Sequence, residues 1–102
     1  MVLTVLEAHV VPAREAALQT ACRDAARDSL PPGLVRSTLL RDRDDPTLWR
    51  IETLWASREA LEAMRATGTP RGVRIFRTAG AEPTLGVFEV MAVLSPPADA
   101  TG

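Results

Sequence analysis

A chain of 102 residues with 46% apolar and 25% charged side chains is sized for one soluble domain with a single core. Its net charge of −1 offers no field to nucleic acid or an anionic membrane, and no apolar run approaches the ~20 residues of a membrane span. One cysteine, one histidine and no lysine, asparagine or tyrosine exclude an intrachain disulfide, a cysteine- or histidine-rich metal site, Schiff-base catalysis and a phenolic acid or base.

The start, "MVLTVLEAHVVP", has neither the basic segment nor the small-residue cleavage site of a secretory leader, and the expectation is a cytoplasmic protein. Residues 2–11 form a strand pattern, with Val2, Thr4, Leu6, Ala8 and Val10 on one face and Leu3, Val5, Glu7, His9 and Val11 on the other. Pro12 stops it and opens a helix that runs to Ser29, with Leu18, Ala21, Cys22 and Ala25 on its apolar side. "LPPG" ends this helix, and 34–42 make a second strand. "RDRDDP" has the short acidic residues of a hairpin turn, and 47–55, "TLWRIETLW", form the third strand. Ser57 is an N-cap for a helix that buries Leu61 and Met64 and closes at Gly68. A short helix follows in 69–80, a last strand covers 84–94, and "SPPADATG", 95–102, reads as a disordered tail behind a single domain of residues 1–94.

The order β-α-β-β-α-β is the ferredoxin-like arrangement, an α+β fold with an antiparallel sheet. Its strands are apolar on both faces: Leu85, Val87, Met91 and Val93 oppose Phe88, Val90, Ala92 and Leu94. Two helices cover one face of a four-stranded sheet, so the other requires a second copy of the chain, sheet against sheet. Both tryptophans, Trp49 and Trp55, share a face of the third strand with Ile51 and Thr53, and that face is either beneath the helices or between the two sheets.

The segment "LWRIETLWASREALEAM", with the preceding "LPPGLV" and "LRDRDDP", resembles the antibiotic biosynthesis monooxygenase family, and Trp55, Ser57, Glu59, Ala60 and Leu61 match its core motif. The resemblance implies a ferredoxin-like subunit that pairs into a dimeric α+β barrel. It also implies a small oxygenase that acts without metal, haem or flavin on a hydroxylated aromatic or polyketide-like substrate. Two departures matter. The helical histidine common in the family falls at Met64, and the asparagine of haem-degrading members has no counterpart, Glu7 standing near that strand position.

His9 is the one side chain whose unperturbed pKa is near neutrality, and with Glu7 two residues away it is the candidate base, Glu7 being its polar partner. Trp55 and Trp49 are candidate aromatic walls for a flat ligand. Arg71, Arg74 and Arg77 recur at every third residue, so Arg74 is a candidate contact for a substrate anion, as is Arg36 on the second strand. Each also has a structural reading: core packing for the tryptophans, an exposed strand end for His9, a solvated face for the arginines. A non-catalytic dimeric binding domain, or a cyclase or isomerase, would need the same walls.

Overall fold

The computed structural model describes residues 1–97. The elements are β1 (Val2–His9), a single 3-10 turn (Pro12–Arg14), α1 (Glu15–Ala25), β2 (Leu34–Arg41), β3 (Leu48–Trp55), α2 (Arg58–Ala66), α3 (Arg71–Thr78) and β4 (Thr84–Glu89). The strands form one antiparallel sheet in the order β2-β3-β1-β4, with α2 and α3 together making the second crossover. This is the ferredoxin-like α+β fold.

The register decides which strand face is covered. Val2, Thr4, Leu6 and Ala8 pair with Trp55, Thr53, Ile51 and Trp49, and all eight are buried. Directly opposed residues share a face, so both tryptophans lie beneath the helices. Leu18 of α1 and Phe76 of α3, both fully buried, join Leu6, Trp49 and Ile51 in the main core. A smaller cluster joins Val2, Trp55 and Leu61 of α2. The other face carries Leu3, Val5, Glu7 and His9 beside Leu54, Glu52, Arg50 and Leu48, with no helix against it.

Local chemistry sets several boundaries. Ser57 caps α2, its Oγ accepting the Ala60 N–H at 3.1 Å. In the hairpin, Asp42 Oδ2 accepts the N–H groups of Asp44 and Asp45, and Asp45 Oδ1 accepts those of Thr47 and its hydroxyl. Helix α1 stops at Ala25, short of Ser29: the Arg27 and Asp28 N–H groups take the tighter carbonyls of Asp24 and Ala25. Pro31 then keeps Leu30 out of helical geometry. Strand β4 ends at Glu89 rather than at 94 because Glu89 pairs with Val2, the first residue of β1. Past Glu89, the Val90 N–H donates to the Met1 carbonyl at 3.0 Å. Of the expected tail, 95–97 carry no regular structure and 98–102 lie outside the described residues.

Candidate functional site

Where the C-terminal end of α1, the start of β2 and the first turn of α3 meet, they leave a cavity of about 370 Å³ with a mostly apolar lining. Its walls come from Cys22 of α1, Leu34 to Ser37 of β2, Trp55 of β3, Met64 of α2, and Arg71, Gly72 and Ile75 of α3. Four consecutive β2 residues line it because the pairing with β3 slips between Leu34 and Arg36, a bulge that breaks strict alternation. The volume suits a small fused-ring molecule.

Trp55 is held from below. Its indole N–H donates to Thr4 Oγ1 at 3.2 Å, and that hydroxyl donates to the Thr53 carbonyl at 3.4 Å. Ser37 Oγ and Thr53 Oγ1 are 2.8 Å apart. Trp55 is only 3% exposed, so the ring is locked by packing and by its N–H bond. Glycine at 72 keeps α3 close to the floor, because a Cβ there would lie 2.6 Å from Leu6 Cδ1.

The arginine ladder of α3 divides among three environments. Arg77 forms a two-bond ion pair with Glu82. Arg74 is exposed and borders a wider, open groove between α1 and α3 that Asp24, Asp28 and Arg71 also line. Arg71 lines the cavity; its Nη2 donates to the Ser29 carbonyl at 2.8 Å, while Nη1 is buried with no acceptor. A buried donor left unpaired costs about 1–3 kcal/mol, and nothing in the sequence marked Arg71 apart from its neighbours. Arg36, exposed on β2, borders the same cavity.

The other candidates lie elsewhere. Glu7 and His9 are on the sheet face opposite the cavity. The Arg50 guanidinium donates to Glu7 Oε2 at 2.6 Å, and His9 Nδ1 is 3.0 Å from Thr47 Oγ1 and 3.7 Å from Asp45 Oδ2. A pocket combining this pair with Trp55 therefore does not form within one subunit, because period-two alternation sends odd and even residues of β1 to opposite faces. Trp49 is 4% exposed in the main core, with the Arg41 guanidinium 5.5 Å over its ring, and lines none of the cavities described above. Besides the arginines, Cys22 is the one titratable side chain in the cavity wall, and burial raises its thiol pKa. No group of three or more His, Cys, Asp or Glu side chains able to hold a metal ion occurs among the described residues.

Residues 1–71 match the family described as antibiotic biosynthesis monooxygenase. No curated protein matches the sequence. Among solved structures, SnoaB, a cofactor-independent oxygenase from Streptomyces nogalater, is 26% identical, with 93% of this chain and 97% of that chain covered and a TM-score of 0.64. A protein of Nitrosomonas europaea, provisionally assigned as an antibiotic biosynthesis monooxygenase, is 20% identical over 90% of this chain and all of its own, with a TM-score of 0.67. One from Deinococcus radiodurans with the same provisional assignment is 11% identical over 95% of this chain and 99% of its own, with a TM-score of 0.66. The last two likenesses concern the fold alone.

Proposed function

The chain belongs to the antibiotic biosynthesis monooxygenase family, and we propose that it is a small cofactor-independent oxygenase acting on a hydroxylated, polyketide-like aromatic. The observation that carries this reading is the apolar cavity walled by Trp55, at the boundary between helices and sheet. The likeness to SnoaB supports it.

In such chemistry the substrate is its own reductant. Loss of a proton from an activated ring CH₂ leaves a carbanion, which passes electrons to dioxygen. One oxygen atom becomes the product carbonyl and the other leaves as water, so CH₂ and O₂ become C=O and H₂O. The contribution asked of the protein is to hold the flat ring against Trp55 and keep bulk water from the reactive carbon. Arg36 lines the cavity that would take the ring. Glu7 and His9 lie across the sheet, so a base role for them requires a ligand on that face, which a second copy would have to enclose.

One observation favours a non-catalytic binding domain instead: the cavity lining contains no carboxylate or imidazole, and Cys22 is a protonated thiol at neutral pH. Titration with anthrone- and naphthol-like compounds, following tryptophan fluorescence and dissolved oxygen together, separates the two. Saturable quenching with oxygen uptake above the protein-free rate is the expected result. Trp55→Leu should weaken binding several-fold to about tenfold, since aromatic stacking is worth about 0.5–1.5 kcal/mol. Quenching without uptake would make this a binding domain. Quenching that survives unchanged in a folded Trp55→Leu protein would remove Trp55 from the site.

A further inference from the structure

A row of hydroxyls runs across the sheet to the cavity, and the hydrogens in it can be assigned. Ser37, on the edge strand β2, stands directly opposite Thr53 of β3, so both side chains lie on the helix-covered face. On β1, the Thr4 hydroxyl is already engaged: it accepts the Trp55 N–H and donates to the Thr53 carbonyl. The last bond of the row joins Thr53 Oγ1 and Ser37 Oγ at 2.8 Å, and one of these hydroxyls gives its hydrogen to the other. Thr53 is buried, and Ser37 Oγ is the one partner of its hydroxyl among the described residues. With Ser37 as donor, the Thr53 hydrogen would be buried without an acceptor. With Thr53 as donor, the hydrogen left over is on Ser37, which is exposed and lines the cavity. Only the second arrangement avoids an unpaired buried donor.

We infer that Thr53 donates to Ser37, and that the Ser37 hydroxyl donates in turn to a carbonyl oxygen of the ring ligand held against Trp55. The inference rests on the proposed function and names a feature of the substrate, a ring carbonyl, that the site recognises. The other polar side chains of the lining are Arg36, Arg71 and the Cys22 thiol, and none of them is a strong acceptor. An oxygen that only accepts therefore suits this lining better than a hydroxyl that needs an acceptor of its own. In the proposed reaction the carbonyl is conjugated with the ring CH₂, and its oxygen takes up charge when the CH₂ proton leaves to water. A hydrogen bond to a charged oxygen is stronger than one to a neutral oxygen, so the Ser37 contact tightens at that step. Ser37 is thus a binding residue that fixes which edge of the ring faces β2.

The test compares anthrone with 9,10-dihydroanthracene, which has the same three-ring skeleton and a CH₂ in place of the carbonyl. Binding to the full chain is followed by tryptophan quenching under argon at neutral pH, with far-UV circular dichroism to verify that each variant is folded. The wild type should prefer anthrone. Ser37→Ala should cut that preference about three- to tenfold, the worth of one hydrogen bond, while leaving affinity for dihydroanthracene unchanged. Thr53→Val should keep the preference, because the Ser37 hydrogen is already free. A preference that survives Ser37→Ala overturns the inference. So does one that grows in Thr53→Val, since Ser37 would then have been donating to Thr53. In either case dihydroanthracene would still bind, and the cavity would stand. If neither compound quenches the wild type, the cavity itself fails as the ligand site, and the inference fails with it.

Discussion

At the scale of single residues, Gly33 shows how little freedom the cavity's surroundings have. Its φ is +83°, in the left-handed region, and a Cβ built there would overlap the Cβ of Ala60 on α2. Its carbonyl also accepts the Ala56 N–H at 2.8 Å, tying the end of β3 to the start of β2. Neither neighbour is the loose end of a side chain, so Gly33→Ala cannot relax cheaply. The left-handed conformation and the overlap together should cost about 2–4 kcal/mol. Urea unfolding would measure it, and a loss below about 1 kcal/mol would mean that α2 moves more easily than the packing of its Leu61 on Val2 and Trp55 implies. Residues of this kind differ in how plainly they show in a sequence. Ser57 and the hairpin aspartates act on groups two or three residues away and are legible there. Arg71 acts on Ser29, and Glu7 on Arg50, across separations of 42 and 43 residues that no local pattern encodes. That is why the ion pair of Glu7 and the orphaned nitrogen of Arg71 emerged only from the fold, and why the first site drawn from sequence joined side chains that occupy opposite faces.

At the scale of elements, the β2–β3 hairpin carries a pH dependence whose sign can be worked out. The Asp45 carboxyl is held below its ordinary value of 3.8, first by the Thr47 hydroxyl, then by the Thr47 N–H, with the nearby His9 adding to it. Glu82 is held below 4.5 chiefly by its hydrogen bond from Arg77, at the turn between α3 and β4. Both groups bind protons less readily folded than unfolded. Their contribution is complete above the unfolded values and is lost as pH falls through the folded ones. Thermal melts should therefore fall steeply below about pH 4, and Asp45→Asn combined with Glu82→Gln should flatten that acid limb. An unchanged limb would mean that these surface contacts are too well solvated to matter. Strand positions were legible because period-two runs persist whatever the register. Strand ends were not, because they depend on a neighbour: β4 has the sequence to reach Leu94, yet stops where β1 begins. Which face of β3 the helices cover was also hidden, since both faces of the sheet are apolar.

At the scale of the whole molecule, the sheet face opposite the helices is apolar and carries no covering element among the described residues. Leu3, Val5, Leu48 and Leu54 are half-buried on it, and Leu40 and Phe88 are exposed by 38% and 54%. Beyond β4, Met91 and Leu94 stand 86% and 99% exposed. The polar exception, Glu7 with Arg50, is paired internally, so a covering layer would meet a neutral couple rather than a bare charge. We propose that a second copy covers this face, sheet to sheet, closing the α+β barrel that the strand patterns imply. A sheet face packs on another at about 10 Å, close enough for the Val5 side chains of two copies to share the interface. Val5→Asp adds a carboxylate to each side of that interface, and two buried like charges have no partner there. Sedimentation equilibrium should give a dimer for the wild type and a monomer for Val5→Asp at the same micromolar concentration, with far-UV circular dichroism unchanged. The cavity lies on the helix side, so the monomer should still bind anthrone if each subunit carries a complete site. Loss of binding on dissociation would instead make the dimer part of the site. A wild type that sediments as a monomer would leave the apolar face uncovered and refute the pairing.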